Sequence, residues 1–487
     1  VPTDTSVAFI VTEAQMGPVD GPTRLISLDQ FTATYGQRIP GTYGYDSVDA
    51  AFHDGVSAAY VQRLVQGAVA ATGDAIAITG GVTATLDAAN PGAWGNNAAL
   101  DLVTAPGGLT LTERTRGLTY AEPEPYAAGY IATVSLAGKA VQTSVPLATV
   151  SDLVAFLAAG RYLRLTADNP TAALAVEGSV ALAGGSDGTL PVADGSLVAD
   201  ALALIPPELG PGQVTAPGRT DVESHVALLT HAAGTQTAGV NRVAFLDGGP
   251  TDDKPTLEGR AQALRGALED RYGSLWAPWA VIPGLAPGTT RTVPWSAIQA
   301  GLCARVDAGG NPNQAAAGPW GESRYALDLT ATYTKTEMED LLYAGVNTAR
   351  RVYGRIEAYG FRTLVDPAGP RQEWRELNHA RLNMAIVAQS DAVGEDLTFA
   401  QLDGRGHTVA KFNGRLAAML KTFYEADALF GEDVTEAFIV NTGPSVNTPE
   451  VAADGRMKAV LAVRMSPHAE LVQIEIVKYP ITVALAG

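Results

Sequence analysis

The chain has 487 residues, 46% of them hydrophobic and 17% charged, a balance that excludes a disordered chain and a length that calls for two to four domains. A formal net charge of −18 argues against nucleic acid or an anionic membrane surface as partner. The lone Cys303 excludes an internal disulfide and any multi-cysteine metal site, and no apolar run reaches the length of a membrane span.

The 52 glycines and 29 prolines predict many turns and a chain rich in strands and loops. Residues 7–11 read as a buried strand, followed by a Gly17-Pro18 turn and a short element over 25–28. A helix is expected at 46–53, and strands at 59–65, 76–79 and 100–103, with a turn-rich segment over 89–96. From about 104 to 183 the texture changes. Short alternating runs at 131–136, 140–145, 162–165 and 179–182 surround one helix, 150–157, the pattern of an inserted β-rich domain.

Beyond the glycine-rich boundary at 184–188, strands and helices alternate. Helices are expected at 198–204, 221–233 and 257–272, and strands at 242–246 and 279–282, an α/β pattern. Thr220 and Glu223 have capping-box spacing, as do Thr336 and Glu339. Residues 306–321 form a Gly/Pro/Ala/Asn loop with little to bury, and 355–365 suggest a hairpin turning at Tyr359-Gly360. Leu377, Ala380, Met384 and Val387 define one helix face; Val409, Phe412, Leu416, Met419 and Phe423 define another, with Gly431 as its closing residue. Strands are expected at 437–440, 471–478 and 481–486, with a loop at Asn447-Thr448-Pro449. In 471–478, Val472, Ile474 and Ile476 alternate with Gln473 and Glu475, the period of a half-buried strand.

The sequence carries no catalytic motif that holds together. Gly184-Gly185-Ser186-Asp187-Gly188 matches the G-x-S-x-G nucleophile elbow in form, with His225 and His231 later in the chain. That motif needs a helix directly after the serine. Here Thr189-Leu190-Pro191 follows, and proline holds Leu190 extended, so a glycine-rich turn is the better reading. The histidines show no i, i+4 pair and no H-E-x-x-H, and there is no phosphate loop or dinucleotide fingerprint. Cys303, between Leu302 and Ala304, reads as a small buried residue, and Trp276, Trp279, Trp295, Trp320 and Trp374 as core or interface anchors. The expectation is a protein that is no enzyme, with no catalytic, cofactor or metal site.

Several short motifs, in order, resemble the tail sheath proteins of contractile bacteriophage tails and related injection machines. They begin with Ala8-Phe9-Ile10-Val11, Gly17-Pro18-Val19 and Ala59-Tyr60-Val61-Gln62-Arg63. Asn90-Pro91-Gly92-Ala93-Trp94-Gly95-Asn96, Leu182-Ala183-Gly184-Gly185-Ser186-Asp187-Gly188, Ala277-Pro278-Trp279 and Gly345-Val346-Asn347 continue them. Toward the C-terminus come Gly431, Ala437-Phe438, Asn447-Thr448, Gly455-Arg456-Met457 and Pro467-His468-Ala469-Glu470-Leu471. Their shared order across nearly the whole chain carries the resemblance.

The resemblance implies an α/β and α+β multidomain chain: a subtilisin-like α/β middle domain without protease function, an inserted β-rich (β-sandwich-like) domain, and a C-terminal α+β domain with an extended terminal strand. The expected division is an N-terminal segment over 1–103 contributing to the core domains, the insertion over 104–183, the α/β domain over 184–330 and the C-terminal domain over 331–487. It further implies a virion role, with copies assembling in the host cytoplasm as a six-fold helical sleeve around a tail tube protein, between baseplate and tail terminator proteins, and contracting to drive the tube through the host envelope. A phage-derived injection system is the alternative setting, and a serine hydrolase on a subtilisin-like scaffold the distant one. Terminal strands join neighbouring copies in this family, which makes Leu471, Val472, Ile474, Ile476, Ile481, Val483 and Leu485 the candidates for inter-subunit strand addition. Such proteins usually carry an extended N-terminal arm, and Val1 stands where that arm should end.

Overall fold

The structure, a computed structural model, describes residues 3–73, 84–105, 128–174, 177–237, 239–265 and 268–469. The first strand, β1 (Val7–Thr12), is buried at every position. Its side chains divide by parity: Ala8 and Ile10 enter one core, while Val7, Phe9 and Val11 enter another. A continuous apolar run is what a strand covered on both faces requires. After β2 (Thr23–Leu25) comes α1 (Leu28–Tyr35), whose start is fixed by the Ser27 hydroxyl accepting from the Gln30 amide. Next are α2 (Gly44–Asp54) and β3 (Ala58–Arg63).

A second sheet interrupts. Its elements are β4 (Thr72–Gly73), β5 (Ala84–Ala88), β6 (Ala98–Ala105), β7 (Gly129–Leu136), β8 (Lys139–Thr143), α3 (Val150–Ala159), β9 (Leu163–Ala167) and β10 (Gly178–Ala183). The seven strands are antiparallel, in the order β8-β7-β6-β10-β4-β5-β9. Leu86, Leu100, Val134 and Leu165 point to one side and meet Leu153 and Leu157 of α3, so the alternation seen in the sequence is that of a half-covered sheet.

The chain then returns to the first sheet through α4 (Ser196–Ala203), β11 (Gly212–Thr215), α5 (Val222–Thr237), β12 (Arg242–Asp247), α6 (Lys254–Leu264), β13 (Gly273–Ala277), β14 (Ala280–Pro283), β15 (Thr290–Val293), α7 (Trp295–Asp307), β16 (Asp328–Leu329), α8 (Lys335–Tyr343), β17 (Val346–Val352) and β18 (Arg355–Tyr359). The eight strands run β18-β17-β13-β12-β11-β1-β3-β2, the six inner ones parallel and the outer two antiparallel to their neighbours. Helices α2 and α7 cover one face, and α4, α5, α6 and α8 the other. β14, β15 and β16 form a small separate sheet. Last come α9 (Leu377–Glu395), α10 (His407–Glu425), α11 (Val434–Ala437), β19 (Phe438–Asn441), α12 (Pro449–Ala453) and β20 (Val460–Val463), with β19 and β20 antiparallel. Phe412, Leu416, Leu420 and Phe423 of α10 pack with Leu382 and Ile386 of α9 in a core of their own.

Several local expectations change. The helix expected over 257–272 ends at Leu264, and Leu268–Tyr272 is a separate 3-10 turn. The box capping α8 is Thr334 with Glu337, two residues before the expected pair, and the start of α5 is held by Asp221, which accepts from the Ser224 amide and hydroxyl. The hairpin of β17 and β18 turns at Tyr353-Gly354, not Tyr359-Gly360, because both turn residues adopt positive φ (47° and 87°), as the tight twisted turn demands. Gly431 does not close α10, which ends at Glu425; the left-handed position falls to Asp427 (φ 59°). The stretch 306–321 completes α7 and buries Asn313, Ala315 and Ala316. The strands expected at 76–79, 471–478 and 481–486 lie outside the described residues.

Candidate functional site

Four of the quoted motifs converge on one joint between the two large sheets. Arg63, at the end of β3, is buried and donates to the carbonyls of Ala14, Gln15, Gly17 and Pro91. Burial pulls its guanidinium down to about 10. The Asn96 side chain exchanges two bonds with Gly185, accepting from its amide at 2.7 Å and donating to its carbonyl at 2.9 Å. Asp187 accepts from the Ala93 amide at 2.7 Å. Ser186 pairs through its backbone with Val69 (2.8 and 2.9 Å), and its hydroxyl accepts from the Gly188 amide at 3.2 Å. Gly188 has φ +67°, and a Cβ there would stand 2.0 Å from the Gln66 carbonyl oxygen. This is a locked turn that fastens the inserted sheet to the main one, with the serine hydroxyl used inside the turn.

The fold does assemble a serine, an aspartate and a histidine elsewhere, at the carboxyl ends of the parallel strands. Ser296, in the first turn of α7, donates its hydroxyl to Asp247 at 2.7 Å and its amide to the same carboxylate at 2.9 Å. Thr215 donates to the Ser296 hydroxyl (2.8 Å), and the Gly218 amide to Asp247 (3.2 Å). The His225 ring faces the Arg219 carbonyl at 2.9 Å. Burial pushes Asp247 up to about 7 and His225 down to about 4. All these side chains are buried. A nucleophilic serine needs its hydroxyl on an imidazole, with the carboxylate behind it; here the hydroxyl goes straight to the carboxylate. The arrangement ties β11, β12 and α7 together. His231 meets Arg242 at 3.0 Å, away from any serine partner, and burial holds it near 4. Cys303 is fully buried, its thiol pushed up to about 11, the setting of an inert cysteine. Among the described residues, no group of three or more His, Cys, Asp or Glu side chains could hold a metal ion, and no helix is long and apolar enough to cross a membrane.

The arrangement suited to joining chains lies in the C-terminal part. β19 and β20 form a sheet of two strands, each keeping one edge without a strand among the described residues. Ile439 is 60% exposed and Val460 53%. Beside β20 runs an open groove of about 510 Å³ lined by Ile386, Val387, Phe412, Leu416, Leu461 and Val463. A two-stranded sheet is marginal by itself, and its edge groups can template a further strand. Sequence reasoning missed β20; its signal was the short apolar run Val460-Leu461-Ala462-Val463. After it the chain is anchored to the loop following α7: Asn313 donates to the Ser466 carbonyl (2.9 Å) and the Ala315 amide to His468 (3.2 Å). The predicted linking residues Leu471, Val472, Ile474, Ile476, Ile481, Val483 and Leu485 lie outside the described residues.

The whole is a mixed α/β, multi-sheet architecture. No protein-family model and no curated protein matches the sequence. Among solved structures, the chain is similar to the sheath tail protein of Listeria innocua, with a TM-score of 0.62 at 13% identity over 91% of this chain and 89% of that one. It is similar to the sheath tail protein of Desulfitobacterium hafniense, with a TM-score of 0.57 at 15% identity over 90% of each chain. It is also similar to the contracted PVC sheath complex of an extracellular contractile injection system, with a TM-score of 0.57 at 14% identity over 98% of this chain and 92% of that one. The chain has the fold of sheath tail proteins, as its motifs led one to expect.

Proposed function

We propose that this chain is the structural subunit of a contractile tail sheath, polymerising as a six-fold helical sleeve around a tail tube and contracting to drive the tube through a host envelope. The observation that carries the reading is the fold shared with sheath tail proteins over nine-tenths of the chain. The alternative setting, a phage-derived contractile injection system, draws support from the likeness to the PVC sheath over 98% of this chain. In either setting the partners are further copies of the chain, the tube, the baseplate and the terminator, and the sleeve is part of the assembled tail. We read the chain as no enzyme, in keeping with the wiring of Ser296 to Asp247.

In this reading the parallel sheet flanked by helices is the subtilisin-like body, built mainly from 184–330 with strands lent by 1–103. The insertion, expected over 104–183, comprises the whole second sheet and so begins earlier, at Thr72, and the C-terminal domain, expected over 331–487, lends β17 and β18 to the main sheet. The edges of β19 and β20 that carry no strand among the described residues accept strands from neighbouring copies, and Leu471, Val472, Ile474, Ile476, Ile481, Val483 and Leu485 supply them. Backbone bonds of this kind tie copies together while alternate side chains set register. Subunits can then move as rigid bodies, from a metastable extended lattice to a compact one, without parting. Negative-stain microscopy of the purified protein tests the reading: sleeves or long cylinders are expected. A chain lacking 481–487 should fold yet form none, and normal sleeves from it would overturn the strand-addition mechanism.

A further inference from the structure

The two edges of the C-terminal sheet are not equal. The Arg464 amide donates to the Ala437 carbonyl at 2.9 Å, and in an antiparallel ladder alternate residues bond across while those between them turn outward. Phe438 and Val440 therefore face the outer edge of β19, and Leu461 and Val463 the outer edge of β20. On β19 part of that edge is already taken: the Phe438 amide bonds to the Val434 carbonyl, and the Val440 carbonyl accepts from Asn413 at 3.0 Å. On β20 the amides and carbonyls of Leu461 and Val463 have no partner among the described residues. The apolar groove lies beside this same strand.

The groove has the length and the lining of a missing third strand. It follows α9 from Asn383 to Gly394, about 16 Å at the helical rise, and a strand of five residues covers about 13 Å. Its floor is Ile386, Val387, Phe412 and Leu416, which a strand beside β20 would meet with every second side chain. The strand's other face would stay in water, next to the exposed Val460, and that calls for strict apolar–polar alternation. Residues 472–476, Val-Gln-Ile-Glu-Ile, have it; 481–485, Ile-Thr-Val-Ala-Leu, carry an alanine in the polar register. The same chain does not bring 472–476 there. From Val463 to Ala469 it runs on with no turn or bend, about 20 Å when extended, with the Ser466 carbonyl and His468 fastened to Asn313 and Ala315. A chain reversing at 470–471 would lay 472–476 beside 465–469, beyond the end of β20.

We propose that residues 472–476 of a second copy form the third strand of this sheet, bonded to Leu461 and Val463, with Val472, Ile474 and Ile476 in the groove. Donor segment and acceptor edge are different surfaces, so the contact is head-to-tail and propagates into an open filament. The proposal rests on the strand-addition reading and gives it one edge, one segment and one socket.

Cysteines on the outward face of the full chain test it. Ala462→Cys, at an exposed position of β20, is combined with Gln473→Cys, with Glu475→Cys or with Thr482→Cys, and the assembled protein is oxidised, the buried Cys303 staying unreactive. One of the first two pairs should give a ladder of covalent oligomers on a non-reducing denaturing gel, and the Thr482 pair no more than each single variant. Val387→Asp, at a half-buried groove position, should leave the thermal midpoint of the free subunit unchanged while the concentration needed for assembly rises at least tenfold. A ladder from the Thr482 pair alone would overturn the segment, and a disulfide closed within one chain would overturn the partner. Sleeves that form with no ladder, and equally well with Val387→Asp, would overturn this contact and leave the sheath reading standing. If no chain assembles, the unaltered one included, the sheath reading falls and this contact with it.

Discussion

Arg381 of α9 holds both carboxylate oxygens of Asp307, at the end of α7, at 2.7 Å each. The arginine side chain is completely buried and also reaches the carbonyls of Pro312 and Cys303. Asp307 accepts in addition from the Thr5 hydroxyl at 2.7 Å. One ion pair thus ties α9 to the buried helix α7 under the main sheet and to the N-terminal segment. Removing one partner leaves the other charge buried and uncompensated. Asp307→Ala should therefore cost about 3–5 kcal/mol, seen as a lower denaturation midpoint at unchanged slope. The double change Arg381→Met with Asp307→Leu should recover most of it.

A pH dependence follows from Asp54 of α2. Burial pushes its carboxyl up to about 6, against the pull of bonds from the Ser323 hydroxyl and the Arg324 amide and of the Arg305 charge. The folded value lies above the unfolded one of about 4, so the folded chain binds more protons in that window. Asp54 thus favours the folded state most at acid pH, and this contribution is lost as pH rises to about 6 and stays constant above. The shift corresponds to about 3 kcal/mol. His225 and His231, held near 4 by burial, act in the opposite sense, losing stability as pH falls. The stability of the unaltered chain minus that of Asp54→Asn isolates the aspartate, and should fall by about 2 kcal/mol between about pH 4 and 6.5. A difference that does not change with pH would refute the assignment.

The joint at Gly184–Gly188 separates backbone need from side-chain chemistry. Gly188 is left-handed and without room for a Cβ, so Gly188→Ala should lower stability by about 2 kcal/mol or more and loosen the inserted sheet. Ser186→Ala removes one acceptor inside the turn and should cost about 1 kcal/mol at most. Limited proteolysis of the two variants provides the check: early cleavage near this turn is expected of the glycine variant alone.

The start of α8 offers a local comparison. Thr334→Ala should cost about 1 kcal/mol by removing the hydroxyl that accepts from the Glu337 amide. Thr336→Ala, an exposed position inside the helix, should stay within about 0.5 kcal/mol. Thermal unfolding of the pair reads the difference directly.

What the sequence determined by itself was whatever one local pattern could specify. The apolar runs of β1 and β12, the alternation of β6, β7 and β9, and the stripe of α10 each follow from burying one face or both. The failure of Ser186 as an elbow was legible too, in the proline that follows it. Tertiary structure alone decided the rest. α7 is buried nearly all round, from Trp295 to Val306, so it has no polar face and shows no helical stripe. β11 carries Gln213 and Thr215 into the interior, where their bonds to the Thr5 carbonyl and the Ser296 hydroxyl exist only because distant segments arrive there. The same holds for Asp247 and Ser296, 49 residues apart, and for the groove between α9 and α10 beside β20. Periodicity reports one element against a featureless inside and outside; partners that satisfy buried polar groups, and hollows shared by two helices, are properties of the assembled fold.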